Sequence, residues 1–165
     1  MAIETTRQTE QVAPPAKGDS LPGFSGQTTD GRRLGTRDFY MRRNLALVFT
    51  HGPECAECRA LLAELGTLEE AVRAEVGQTL AVVPAELDAL AELATELPFP
   101  LIADPDSAIH ARYGLLDQRG APMAAIFVAD RYGTVFHPSV ADAAHDMLPA
   151  SEVPGWLEFI ACRCS

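Results

Sequence analysis

Leu45-Ala46-Leu47-Val48-Phe49-Thr50-His51-Gly52-Pro53-Glu54-Cys55-Ala56-Glu57-Cys58-Arg59 is the stretch on which the fold turns. It begins with a continuous apolar run, and the turn signal His51-Gly52-Pro53 follows close behind, as expected of a strand buried on both faces. Beyond the turn the period changes. Cys58, Leu61, Leu65, Leu68 and Val72 recur at spacings of three and four, which predicts one face of a helix, with Glu64, Glu69 and Arg73 pointing elsewhere and Gly77 placed to end it. A Cys-x-x-Cys pair thus falls directly after a buried strand, in the first turn of a helix.

Outward from this unit the pattern repeats. Thr79 to Val83 predicts a second strand and Pro84 the first turn of a second helix, whose apolar stripe is Leu87, Leu90, Ala94 and Leu97. Phe99 to Asp106 reads as a short strand and turn, followed by a short helix ending at Tyr113-Gly114. Met123–Ala129 and Thr134–Phe136 are strand-like runs joined through Asp130-Arg131-Tyr132-Gly133, and Ser151 is placed to cap a last helix carrying Trp156, Phe159 and Ile160. Upstream, Asp30-Gly31 between strand-compatible residues signals a two-residue hairpin. Parallel βαβ at the start and an antiparallel hairpin at the end predict an α/β fold with a mixed central sheet flanked by helices. Residues 1–18 lack hydrophobic periodicity and carry Pro14-Pro15, so they are expected to form a disordered tail, with 19–165 a single domain.

Composition narrows the partners. The chain has 165 residues, 47% of them hydrophobic and 22% charged, enough for one domain with its own core. Thirteen basic against 23 acidic residues leave a net charge of -10, which repels phosphate backbones and anionic lipid, so no nucleic acid or membrane partner is expected. The longest apolar run, Met123 to Ala129, is far short of the roughly 18 residues a membrane span needs, and the first twenty residues carry no signal-like apolar segment. A cytoplasmic protein with reduced cysteines is expected, in which Cys-x-x-Cys is catalytic or metal-binding rather than a structural staple.

Cys55 falls among the unpaired N–H groups of a helix start, where the macrodipole favours the nucleophilic thiolate. Cys58, three residues on and on the apolar stripe, is expected to be more buried and placed to resolve a mixed disulfide on Cys55. Cys55 and Cys58 are therefore the candidate catalytic residues, and no cofactor is called for. The alternative is a zinc or copper module with both cysteines as ligands and His51, His137 or Cys162/Cys164 completing the set. His51 is also placed to stabilise a thiolate. Glu54 and Glu57 put negative charge around Cys55, and Arg59 partly offsets it. Cys162 and Cys164 are either a second redox pair or incidental thiols at a chain end, and packing or surface roles are expected for His110, His137 and His145.

The region from Gly18 to about Ser139 resembles the thioredoxin-fold redoxins, in particular the AhpC/TSA (alkyl hydroperoxide reductase / thiol-specific antioxidant) peroxiredoxin-like family. The resemblance rests on Gly18-Asp19-Ser20-Leu21-Pro22-Gly23-Phe24, Thr29-Asp30-Gly31-Arg32, Leu47-Val48-Phe49, Cys55-x-x-Cys58-Arg59, Phe99-Pro100-Leu101-Ile102-Ala103-Asp104-Pro105-Asp106 with Tyr113-Gly114, and Phe127-Val128-Ala129-Asp130-x-x-Gly133. It implies a thioredoxin-like fold and thiol-based antioxidant chemistry, with a disulfide or hydroperoxide as substrate and a thioredoxin- or glutathione-like thiol as reductant. The chain departs from the family at the peroxide site. A peroxiredoxin carries Thr or Ser three residues before its peroxidatic cysteine and Pro seven before it. Those places are Gly52 and Val48 counted from Cys55, and Cys55 and His51 counted from Cys58. Where the family places an arginine or a cis-proline facing the cysteines stands Ala124, with Pro122 two residues earlier. Disulfide reduction is accordingly expected to exceed peroxide reduction.

Overall fold

The structure, a computed structural model, describes residues 12–141 and 147–163. A hairpin of β1 (Ser25–Gln27) and β2 (Arg33–Gly35) precedes the central unit of β3 (Asn44–Phe49), α1 (Ala56–Thr67), α2 (Glu69–Ala74) and β4 (Gly77–Val83). There follow α3 (Leu87–Thr95), β5 (Leu101–Ala103), α4 (Ala108–Arg112), β6 (Ala124–Ala129), β7 (Val135–Ala141) and α5 (Val153–Arg163). The sheet order is β5-β4-β3-β6-β7, with β3, β4 and β5 parallel and β6 and β7 antiparallel to their neighbours. This is the expected α/β architecture, a mixed sheet flanked by helices.

Every residue of β3 is buried because both faces of the sheet are covered. Ala46 and Val48 point with Ala81, Val83, Ile126 and Val128 into a core shared with α1, α3 and α5, and Cys58, Leu62 and Leu65 enter that core. Leu47 and Phe49 point the other way, onto Tyr113, Phe127 and Phe24. Each fully buried Leu or Phe in these layers contributes about 1.5–3 kcal/mol, so the carboxyl end of β3 is fixed from both sides.

Four local expectations are corrected. The first helix breaks at Leu68, and its buried face is Cys58, Leu62, Leu65, Glu69 and Val72 rather than the stripe through Leu61 and Leu68. Gly77 opens β4 instead of ending the helix: Val76 takes the left-handed conformation (φ 56°), and a Cβ on Gly77 would lie 2.7 Å from the Val72 carbonyl oxygen. Ser151 lies inside a 3-10 turn, Ala150–Glu152, that leads into α5. In the first hairpin Gln27 pairs with Arg33, so the turn is longer than two residues; Gly31 donates to the Thr28 carbonyl and supplies the positive φ (82°).

Of the segment 1–18, residues 12–18 lie against the domain, with Pro15 buried and Gly18 N–H donating to the Val135 carbonyl at 2.8 Å. No described helix is long and apolar enough to cross a membrane.

Candidate active site

The site stands at the carboxyl end of β3, where the chain leaves the sheet and turns into α1. Cys55 is the N-cap of α1, with extended backbone (φ -69°, ψ 112°), and its Sγ accepts the Cys58 N–H at 3.4 Å. A sulfur here does what a Ser or Asp oxygen does at most N-caps: it satisfies one of the orphan amide donors of the first turn. One turn in, Cys58 is 1% exposed, and its Sγ accepts the backbone N–H of His51 at 3.4 Å.

His51 closes the arrangement. Its Nδ1 lies 3.8 Å from Cys55 Sγ and 3.7 Å from Cys58 Sγ. All three atoms fall within 4.8 Å of one another. Burial pushes the Cys58 thiol up to about 12; Cys55 and the negative charge of Glu57 add to this, while the His51 N–H opposes it. Cys55 is half-buried and Cys58 buried, the relative burial expected from the sequence. Both are free thiols.

Behind the loop lies a pair that periodicity alone does not reveal. His110 and Asp104 are both buried, with His110 Nδ1 2.7 Å from Asp104 Oδ2 and His110 Nε2 2.9 Å from the Thr50 carbonyl oxygen. Burial alone would raise Asp104, but the His110 ring and the N–H groups of Ile109 and His110 outweigh it and hold the carboxyl below its ordinary range. With acceptors at both ring nitrogens, His110 clamps the residue just before His51. Asp104 belongs to the Pro-Leu-Ile-Ala-Asp-Pro-Asp segment quoted above, which was the available signal.

In front of the loop, His51 borders an open cleft of about 890 Å³, lined also by Asp117, Arg119, Pro122 and Met123. Among the described residues every peptide bond is trans, so Pro122 is not a cis-proline, although it does border this cleft. Ala124 is fully buried at the start of β6, in the core that Cys58 enters. Glu54, Glu57 and Arg59 are exposed around the helix start. Cys162 is exposed on the last turn of α5 and outside the His51 cluster; Cys164 and His145 lie outside the described residues. His137 stacks on Trp156 at 4.5 Å between ring centroids, a packing role.

A five-stranded mixed sheet with a cysteine capping the helix after its central strand defines a thioredoxin-like protein. The AhpC/TSA family model matches residues 17–137, and the chain belongs to that family. Solved structures similar to it include peroxidoxin BcpB from Mycobacterium tuberculosis, at 14% identity and a TM-score of 0.75, covering 90% of this chain and 97% of that one. The reduced 2-Cys peroxiredoxin of Plasmodium vivax is similar at 17% identity and a TM-score of 0.78, covering 90% and 98%. Peroxiredoxin Q of Xanthomonas campestris is similar at 16% identity and a TM-score of 0.73, covering 84% and 91%. A search of the curated proteins finds no match to the sequence.

Proposed function

We propose that the protein is a thiol-dependent oxidoreductase in which Cys55 attacks the substrate and Cys58 resolves the adduct. The observation that carries this reading is the stacking of the two sulfurs: Cys55 half-exposed at the helix cap, Cys58 buried behind it, and His51 Nδ1 at 3.8 and 3.7 Å from them. The Cys55 thiolate attacks one sulfur of a substrate disulfide, forming a mixed disulfide and expelling the other sulfur as a thiolate. Cys58 then gives its proton to His51 and attacks Cys55 Sγ. That step expels the second substrate thiol and leaves a Cys55–Cys58 disulfide, for a two-electron reduction overall. An external dithiol or two monothiols, of the thioredoxin or glutathione type, return the two electrons.

With a hydroperoxide the same thiolate attacks the terminal oxygen, releases the alcohol and becomes a sulfenic acid, which Cys58 converts to the disulfide with loss of water. Disulfides are the favoured substrate class. Gly52 stands where a hydroxyl would polarise the peroxide, and the buried Ala124 offers no cation. The test is a side-by-side assay of protein-disulfide and peroxide reduction, with Cys55 and Cys58 each replaced by Ser. Cys55-dependent disulfide reduction is expected to exceed peroxide reduction; peroxide consumption at peroxiredoxin efficiency would reverse the assignment.

A further inference from the structure

Cys55 Sγ, Cys58 Sγ and His51 Nδ1 lie within 4.8 Å of one another, close enough to share one metal ion, independently of any turnover. For metal–sulfur and metal–nitrogen bonds of about 2.3 and 2.0 Å, a trigonal ion sets its S···N edges at about 3.7 Å, whereas a tetrahedral ion sets them at about 3.5 Å. The two observed edges, His51 Nδ1 to Cys58 Sγ and to Cys55 Sγ, are 3.7 and 3.8 Å. We propose that the reduced protein binds a single Cu(I) ion in a three-coordinate set of Cys55 Sγ, Cys58 Sγ and His51 Nδ1.

Three features favour this ion. Two thiolates and an imidazole are a soft donor set, which selects Cu(I) or Zn(II) over harder cations. Among the described residues the group of ligating side chains ends at these three, so a zinc ion here would need water as its fourth ligand, whereas the three protein donors complete the coordination of a trigonal Cu(I). Each sulfur also accepts one backbone N–H at 3.4 Å, Cys55 from Cys58 and Cys58 from His51, which stabilises the negative charge a bound thiolate retains. The loop that carries His51 is tied down from behind by the His110 bond to the Thr50 carbonyl, which fixes the backbone from which the imidazole reaches the two sulfurs. The proposal goes beyond the redox function, since it requires reduced thiols but no electron transfer.

The experiment titrates the reduced full-length chain anaerobically with Cu(I) held by bicinchoninate and reads both the competition and the copper K-edge absorption spectrum. One copper per chain is expected, with two sulfurs and one nitrogen around it. His51→Ala is expected to lower the affinity at least tenfold and to convert the spectrum to that of a two-coordinate sulfur site. Oxidation of the two thiols by diamide is expected to abolish binding. Because Cys58→Ser alters the core, this oxidised wild-type sample tests the thiol requirement without a substitution. Unchanged affinity in His51→Ala, a linear two-sulfur spectrum in the wild type, or a multicopper cluster shared between chains would overturn the proposal. So would Zn(II) that one equivalent of Cu(I) fails to displace. None of these readouts depends on peroxide or disulfide turnover, so failure of the redox reading leaves them intact.

Discussion

The ring of His110 donates through Nε2 to the backbone carbonyl of Thr50, 2.9 Å away, and ties α4 to the end of β3 one residue before His51. Its other nitrogen meets Asp104 at 2.7 Å. Removing the ring takes one partner from the buried Asp104, which keeps the backbone N–H groups of residues 109 and 110, and leaves the Thr50 carbonyl without its donor, at a cost of about 1–3 kcal/mol. His110→Ala is therefore expected to destabilise the protein on that scale in urea denaturation. A loss under about 1 kcal/mol would mean the pair is not held as described.

The same pair sets an acid limit. Asp104 is held below its ordinary carboxylate value, so its contribution is present above about pH 3.8 and is lost as pH falls through the lower native value. Asp104→Asn should flatten this part of the acid-unfolding curve while lowering stability at neutral pH. Parallel wild-type and variant curves below pH 4 would contradict the assignment.

Glu69 carries the opposite sign. It is 2% exposed on the buried face of α2, with Oε2 unpartnered, and burial raises its carboxyl despite the hydrogen bond from the Thr79 N–H and the Arg73 charge. The native state therefore holds this proton more tightly than the unfolded chain does, and stability falls as pH rises from about 4.5 through the raised native value. Glu69→Gln keeps an acceptor and removes the charge. It should raise the melting temperature at pH 7 relative to wild type, and the gain should shrink toward pH 4. A gain independent of pH would show that the effect is not ionisation.

Alkylation should separate the two site cysteines. Cys55 is half-buried at the cap, whereas Cys58 is 1% exposed and its thiol is pushed up to about 12. Iodoacetamide near pH 8 is expected to modify Cys55 at least about tenfold faster than Cys58, read by peptide mass spectrometry. Under turnover, Cys58→Ser should accumulate the mixed disulfide or sulfenic acid on Cys55. An adduct found on Cys58 in Cys55→Ser protein would invert the roles.

The hairpin beside the sheet offers a purely steric test. A Cβ on Gly35 would lie 1.8 Å from the Phe24 carbonyl oxygen, a backbone atom with nowhere to move. Gly35→Ala should cost at least about 1–3 kcal/mol. Unchanged stability would mean the hairpin is not packed this closely.

How much of this was legible in the sequence depended on whether the signal was local. The run from Leu45 to Phe49 and the change of period at Cys58 marked β3 and α1, because burial on two faces and on one face leave different patterns. Apolar spacing places Cys58, Leu65 and Val72 on the buried face but favours Leu61 and Leu68 over Leu62 and Glu69, because it has no means of placing a carboxylate in the core. Glu69 enters because Gln78 and the Thr79 N–H reach its carboxylate. His110 looked like packing because its partner is a backbone carbonyl 60 residues away, and no side-chain spacing encodes that. His51 was visible as a candidate, but its reach to both sulfurs depends on how the Gly52-Pro53-Glu54 loop folds back, which composition does not specify.

The sulfur at the head of α1 also links folding to electrochemistry. Cys55 caps the helix as a thiol or thiolate by accepting the Cys58 N–H at 3.4 Å. Joining Cys55 to Cys58 recruits that acceptor into a new bond and weakens the cap. By the thermodynamic cycle, whatever free energy the cap gives the reduced form is subtracted from the oxidised one. For a two-electron couple about 1.4 kcal/mol corresponds to roughly 30 mV, and an N-cap is worth about 0.5–2 kcal/mol. If the two cysteines cycle through a disulfide as proposed, losing this one backbone amide contact would move the couple toward the oxidising side by about 10–40 mV.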